Sequence, residues 1–197
     1  MRRLPLLALF LTPLFAACGG SSNSPDAPTD AAPLAPTANP QRGIASTALA
    51  VNADAMSATA TIVLEPSTTP GATFEIGDIA IVEVKQTTAS GAAALLWTDR
   101  GNLLDVGVAA ATEPVTLTVS YTFSKHTKFD GYTSTATGAY TLVWPYYCGN
   151  LFPCHSRPDD GTEFSVTVAP PANGLKVVAP VGVVTEAPSY MLAWAVG

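Results

Sequence analysis

The sequence predicts an all-β fold: an antiparallel β-sandwich, or a pair of saddle-like sheets, behind a signal peptide and a disordered linker. Two observations carry the fold class. Apolar and polar residues alternate in many short runs. The most regular is 115–123, where Val115, Leu117, Val119, Tyr121 and Phe123 are apolar and each residue between them is Thr or Ser. A period of two puts one strand face on a core and the other in solvent. Beyond the first seventeen residues, no window keeps an apolar stripe at helical spacing between capping residues.

The chain opens with an export signal, residues 1–17. Arg2 and Arg3 precede an apolar run, 4–15, too short to span a bilayer as a stable helix. The run ends Phe15-Ala16-Ala17-Cys18-Gly19. Small residues before a cysteine at this place resemble a bacterial lipobox, which implies lipidation of Cys18 as the new N-terminus. The other readings are an ordinary signal peptide cleaved after Ala17, or a core helix. Gly19 after the cysteine favours the outer membrane in a Gram-negative host. Residues 18–43 then read as a tether. They are rich in Pro, Ser, Ala and Asp and hold too little apolar surface to offset the entropy of ordering.

From Ile44 the alternation begins. Residues 47–51 and 58–65 read as strands around a turn at Asn52-Ala53-Asp54, and 66–71 as a loop. Short strands follow at 73–76, 79–84, 92–97 and 103–106, with a turn at Asp99-Arg100-Gly101-Asn102. After the strand at 115–123, residues 124–138 read as a polar loop. Residues 140–144 and 163–168 are the next strands. Asn173-Gly174 is a hairpin signal ahead of 176–179, and 189–196 forms the last apolar strand. Residues 44–197 thus make one domain, large enough for its own core.

Composition excludes one class of partner. The 197 residues carry a formal charge of -6, and the nine Lys and Arg are scattered. Nucleic-acid binding needs them clustered. Candidate chemistry is sparse. His126, in the polar loop, reads as a solvated histidine. Cys148 and Cys154, with His155 beside them, suggest a metal site by residue type, but their spacing fits no structural zinc pattern. In an exported chain the two cysteines are expected to pair, since the loop between them holds Gly149 and Pro153. Free thiols, or a metal or reactive site, are the remaining readings. Asp159-Asp160 before a glycine reads as a turn. No G-x-S-x-G, H-E-x-x-H or Gly-rich phosphate loop occurs, so no catalytic and no metal-ligating residue is assigned.

One stretch is more specific. Phe152-Pro153-Cys154-His155-Ser156-Arg157-Pro158, then Phe164-Ser165-Val166, resembles the F-P-C-x-D-E-P…F-x-[IL] signature of the aminopeptidase N family of zinc metallopeptidases. Residues 189–197 resemble that family's S-Y-L-x-A-F-x-V-G segment. Order and spacing agree, and 144–154 looks like a bacterial secreted branch. The resemblance implies the N-terminal β-saddle domain, which in that family precedes a thermolysin-like catalytic domain. It gives Phe152, Pro153, Cys154, Pro158, Phe164 and Tyr190 the role of a structural signature. Ser156-Arg157 stands where the family has Asp-Glu, which implies weaker hydrogen bonding in that turn. Thr141-Leu142-Val143-Trp144 stands where the family has T-Q-x-E, so no substrate-contacting residue carries over.

The function the resemblance implies is a non-catalytic domain of a membrane-anchored zinc metallopeptidase, cut before its catalytic domain. The chain would be held in the cell envelope, at the outer membrane or cell surface, by lipid on Cys18. Its expected partner is a catalytic peptidase domain, on which it would pack beside the active-site cleft. Zinc is expected only in that domain, and no peptide hydrolysis is expected from this chain alone. Loss of the neighbour would leave an apolar face exposed. The alternative is a free-standing surface β-sandwich lipoprotein acting as a binding module. A soluble, cooperatively unfolding monomer of residues 42–197 favours the binding module, and aggregation the severed domain.

Overall fold

The computed structural model describes residues 32–197. The signal segment, Cys18 and the first part of the tether lie outside the described residues. The compact unit runs from Pro33 to Gly197. Its strands in chain order are β1 (Ile44–Asn52), β2 (Ser57–Leu64), β3 (Ala72–Glu75), β4 (Ala80–Thr88) and β5 (Gly91–Ala94). Then come β6 (Trp97–Asp99), β7 (Leu103–Val106), β8 (Val115–Thr122), β9 (Gly131–Ser134) and β10 (Ala139–Leu142). β11 (Gly161–Val168), β12 (Val177–Val178), β13 (Val184–Pro188) and β14 (Ala195–Val196) complete the fold. Among the described residues there is no α-helix, only two short 3₁₀ turns at Cys148–Asn150 and Ser189–Met191.

Three sheets result. The seven-stranded sheet has the order β13-β11-β1-β2-β8-β4-β5, the four-stranded β12-β14-β10-β9 and the three-stranded β3-β7-β6. All pairs are antiparallel except β1 with β11, which run parallel in the register Thr47 opposite Phe164. Alternation sets the burial of the large sheet. On β8, Val115, Leu117, Val119 and Tyr121 are buried; on β2, Ala58, Ala60, Ile62 and Leu64; on β11, Thr162, Phe164, Val166 and Val168. The register Ile62 opposite Leu117 and Ala60 opposite Val119 stacks these side chains on one face. Each fully buried Leu, Ile or Phe contributes about 1.5–3 kcal/mol relative to exposure. The opposite face carries Thr and Ser along β8, with Ala48 and Ala50 of β1 and Glu163 of β11 among them.

One cluster of buried side chains joins all three sheets. The join to the four-stranded sheet is aromatic. Tyr132 of β9 meets Phe123 edge-on with centroids 5.3 Å apart, and lies 5.2 Å from Trp194. This contact explains why β9 forms inside a stretch whose polarity reads as a loop: one buried tyrosine decides it. β13 likewise has no alternation to announce it. Asn173-Gly174 does turn the chain, with Gly174 at φ 79°, yet it joins no hairpin. β11 belongs to the large sheet, while β12 pairs with β14. The expected final strand 189–196 is a 3₁₀ turn followed by two strand residues.

The tether reading also stops short of Ile44. Asn39 and Arg42 are buried. The Asn39 amide N–H donates to Thr73 Oγ1 at 2.8 Å, and its side-chain Nδ2 donates to the Thr69 carbonyl at 3.1 Å. Arg42 donates through Nη1 to the Ala109 carbonyl at 2.9 Å and through Nε to the Glu65 carbonyl at 3.3 Å. Composition favours disorder here, but these side-chain bonds tie the segment to the loops flanking β3 and β7.

Candidate functional site

The aromatic, cysteine-bearing corner between β10 and β11 gathers most of the sequence-marked residues. β10 ends at Leu142, and buried Val143 anchors the exit. Trp144, Tyr146 and Tyr147 then project outward. Tyr146 sits at φ 67°, a left-handed conformation that costs a bulky residue strain and is kept only when its surroundings enforce it. A 3₁₀ turn at Cys148–Asn150 follows, and a disulfide joins Cys148 to Cys154 with Cα atoms 6.2 Å apart.

β3 holds this corner from behind. Glu75 and Cys154 exchange backbone bonds, N–H to O at 2.8 Å and 3.2 Å. The Glu75 carboxylate also accepts the Ser156 N–H at 3.1 Å. At Gly149 a Cβ would lie 2.7 Å from the Gly77 nitrogen, so only glycine lets the turn approach this closely. Below it Phe152 meets Phe164 edge-on at 5.9 Å, both fully buried. These two signature positions are core. Trp144 meets Tyr190 edge-on at 4.6 Å, which brings the two family-like segments into contact.

Both histidines are occupied. His155 lies against Thr73 and Asp160, with Nε2 2.9 Å from the Thr73 carbonyl and Nδ1 3.0 Å from Asp160 Oδ2. His126 is not the solvated loop residue its sequence context suggests. Its side chain is 14% exposed and bridges two carboxylates, with Nδ1 3.0 Å from Asp130 and Nε2 3.2 Å from Asp78. Asn150 closes that cluster by donating to the Asp130 carbonyl at 2.7 Å and accepting the Asp78 N–H at 3.3 Å. With every ring nitrogen engaged, neither histidine presents a free nitrogen to a substrate or an ion.

The F-P-C turn carries local bonds of its own. Arg157 grips Asp159 through two bonds, 3.0 Å and 2.6 Å, and the Asp160 N–H donates to the Arg157 carbonyl at 3.2 Å. The bond from Arg157 holds the Asp159 carboxyl below its usual range. The Asp159-Asp160 segment is the expected turn. Beside it lies an open cavity of about 350 Å³ lined in part by Thr73, Phe74, Glu75, His155 and Asp160. Glu75, Cys148 and Cys154 place donor atoms within 4.8 Å of one another, the one such group of three among the described residues. With its sulfurs bonded to each other, it has no thiolate to offer a metal. The corner's chemistry is thus that of a pinned scaffold. Sequence reasoning missed Glu75, Asn150, Asp78 and Asp130, because their partners lie far away along the chain.

No protein-family model matches the chain, and no curated protein matches it. Solved structures do match, by fold. Legionella pneumophila aminopeptidase A in complex with aspartic acid is similar over 82% of this chain and 22% of its own, at 14% identity and a TM-score of 0.65. An M1 zinc metallopeptidase from Deinococcus radiodurans is similar over 80% and 42%, at 18% identity and 0.61. Yeast LTA4 hydrolase in complex with bestatin is similar over 79% and 28%, at 16% identity and 0.61. The likeness is one of fold. This chain spans less than half the length of each.

Proposed function

We propose that the chain is a non-catalytic β domain of a zinc metallopeptidase of the aminopeptidase type, anchored in the cell envelope through Cys18. It packs on a catalytic peptidase domain and helps wall one side of its cleft. The fold likeness to part of much longer peptidases supports this reading, as does the family-like sequence at 152–166 and 189–197.

One observation carries the packing role: exposed large apolar side chains concentrate in two chain segments, 142–147 and 178–191, which adjoin strands of the four-stranded sheet. Leu142, Trp144, Tyr146, Tyr147, Val178, Val181, Val183, Val184 and Met191 are nine of the thirteen such residues among those described. A groove of about 430 Å³ on this sheet, lined by Tyr140, Val178, Pro180 and Trp194 among others, contains no charged side chain. Exposed apolar side chains beside an apolar groove are the features of a contact surface. The opposite face of the large sheet, by contrast, is hydroxyl-rich.

Reading the gene in frame past codon 197 tests the proposal. An H-E-x-x-H motif within a few hundred codons, or in an adjacent gene, supports it. A gene context without one, together with a soluble monomeric chain, favours the free-standing binding module.

A further inference from the structure

A sheet edge is a row of unpaired backbone donors and acceptors that invites another strand unless something blocks it. The six edges of the three sheets differ in this respect. β3 is covered by the bridge from Glu75 to Cys154, and β9 by the bridge from Lys125 to Tyr132. β13 is broken by Glu186 at φ 52°, by a register shift between Thr162 and Phe164, and by Pro188. β12 has only two residues, and β6 ends on a charge at Asp99. β5 has none of these defences. It reads Gly-Ala-Ala-Ala, every residue is exposed, and it pairs on one side only, with β4.

The pairing fixes which groups are free. The Leu95 N–H donates to the Val84 carbonyl at 2.9 Å. With Gln86 opposite Ala93 and Thr88 opposite Gly91, antiparallel alternation turns residues 91, 93 and 95 toward β4. The N–H and C=O of Ala92 and Ala94 therefore point outward, without a partner among the described residues.

We propose that β5 is a self-association edge, where a second copy of this chain adds its own β5 antiparallel across a two-fold axis at Ala93. The two copies would then share one continuous sheet. Ala92 of each copy would exchange both backbone bonds with Ala94 of the other, making four hydrogen bonds. Identity of the two strands matters here. The axis sets Ala93 against its own copy and Ala92 against Ala94 of the other, so no charge meets its like: β5 is neutral and no larger than a methyl at any position. The start of the strand is open, since a Cβ built at Gly91 meets nothing within 4 Å.

Cross-linking tests this on the full chain. At the axis Ala93 faces its own copy as a non-hydrogen-bonded pair with Cα atoms about 4.5 Å apart. Ala93→Cys should form a disulfide-linked dimer under mild oxidation roughly tenfold faster than Thr68→Cys, placed in an exposed loop, because pairing raises the local thiol concentration. Adding Ala94→Pro should abolish that advantage. The Ala94 N–H faces away from β4, so the proline removes only an outward donor and leaves the fold intact. Sedimentation of the chain without added cysteines should show dimer growing with concentration, and less of it for Ala94→Pro. Equal cross-linking of the two cysteine variants, a monomer at every concentration, or a dimer that survives Ala94→Pro would each overturn the proposal. The last result would place self-association on the apolar four-stranded sheet instead.

Discussion

Opening the Cys148–Cys154 disulfide should cost the domain about 2 kcal/mol, and the figure follows from the spacing of the two cysteines. They are six positions apart. Chain entropy alone gives about 2.2 kcal/mol at 25 °C for a closed loop of about six residues, because the reduced unfolded chain gains freedom that the cross-link denies it. The native state has little reason to change on reduction. Cys154 stays paired with Glu75, Gly149 stays against Gly77, and Asn150 keeps its two bonds. For a domain of this size the loss corresponds to roughly 4–9 °C in Tm. Urea unfolding followed by tryptophan fluorescence, with and without a reductant, measures it directly. The denaturation midpoint should fall while the native spectrum stays the same. A stability change below about 0.5 kcal/mol would refute the entropic reasoning, since the loop would then be as constrained without the bond as with it. Reduction that changes the native fluorescence would refute the other half, that the remaining bonds and contacts keep the corner in place.

Three further substitutions probe other parts of the fold. Asp105→Asn should cost about 1–2 kcal/mol at neutral pH, because it weakens the paired bonds from Arg100, 2.6 Å and 3.0 Å, and the 2.7 Å bond from Thr73. Burial raises the Asp105 pKa, but the bonds from Arg100 and Thr73 outweigh it and hold the carboxyl below its usual value. Its contribution is therefore present above the unfolded carboxyl pKa of about 3.9 and fades as pH falls below it, so wild type and variant should converge in acid. An equal stability gap at pH 7 and in strong acid would contradict this. Tyr121→Phe should stabilise by about 1 kcal/mol, since the Tyr121 hydroxyl is buried with no hydrogen-bond partner in the protein; a loss measured by thermal unfolding would mean that water serves it. Gly149→Ala should cost about 1–3 kcal/mol, because the added Cβ meets backbone at 2.7 Å and 3.0 Å, and chemical denaturation reads the difference.

How much of this was legible in the sequence depended on whether a residue's role is set locally. Strands β1, β2, β8 and β11 each carry their burial in their own alternation, so the large sheet's core face could be read from the sequence. The disulfide is legible because chemistry and spacing are both local. The partner of each strand was not legible. β1 and β11 lie more than a hundred residues apart and pair in parallel, which no hairpin signal can announce. β9 exists because Tyr132 fits between Phe123 and Trp194. His126 is bridged by Asp78 and Asp130 because two loops meet there. Arg42 looks like tether until three carbonyls surround it.

The least periodic apolar stretch is the most informative about function. Residues 177–184 read Val-Val-Ala-Pro-Val-Gly-Val-Val, hydrophobic enough for a core yet without a period of two or of 3.6. Pro180 and Gly182 prevent a regular strand, so the valines cannot all turn to one side. The structure leaves Val181 99% exposed and Val178 69%. Along β8 the chain covers the exposed strand face with Thr and Ser, so the run of exposed valines here stands in contrast to it. If the loop is a contact surface, Val181→Ser should leave stability within about 0.5 kcal/mol of wild type, since nothing in the fold packs on it. It should also weaken any association with a catalytic domain supplied in trans. A loss of stability would instead mean that the valines serve the domain's own core, and the packing role proposed for this face would lose its main support.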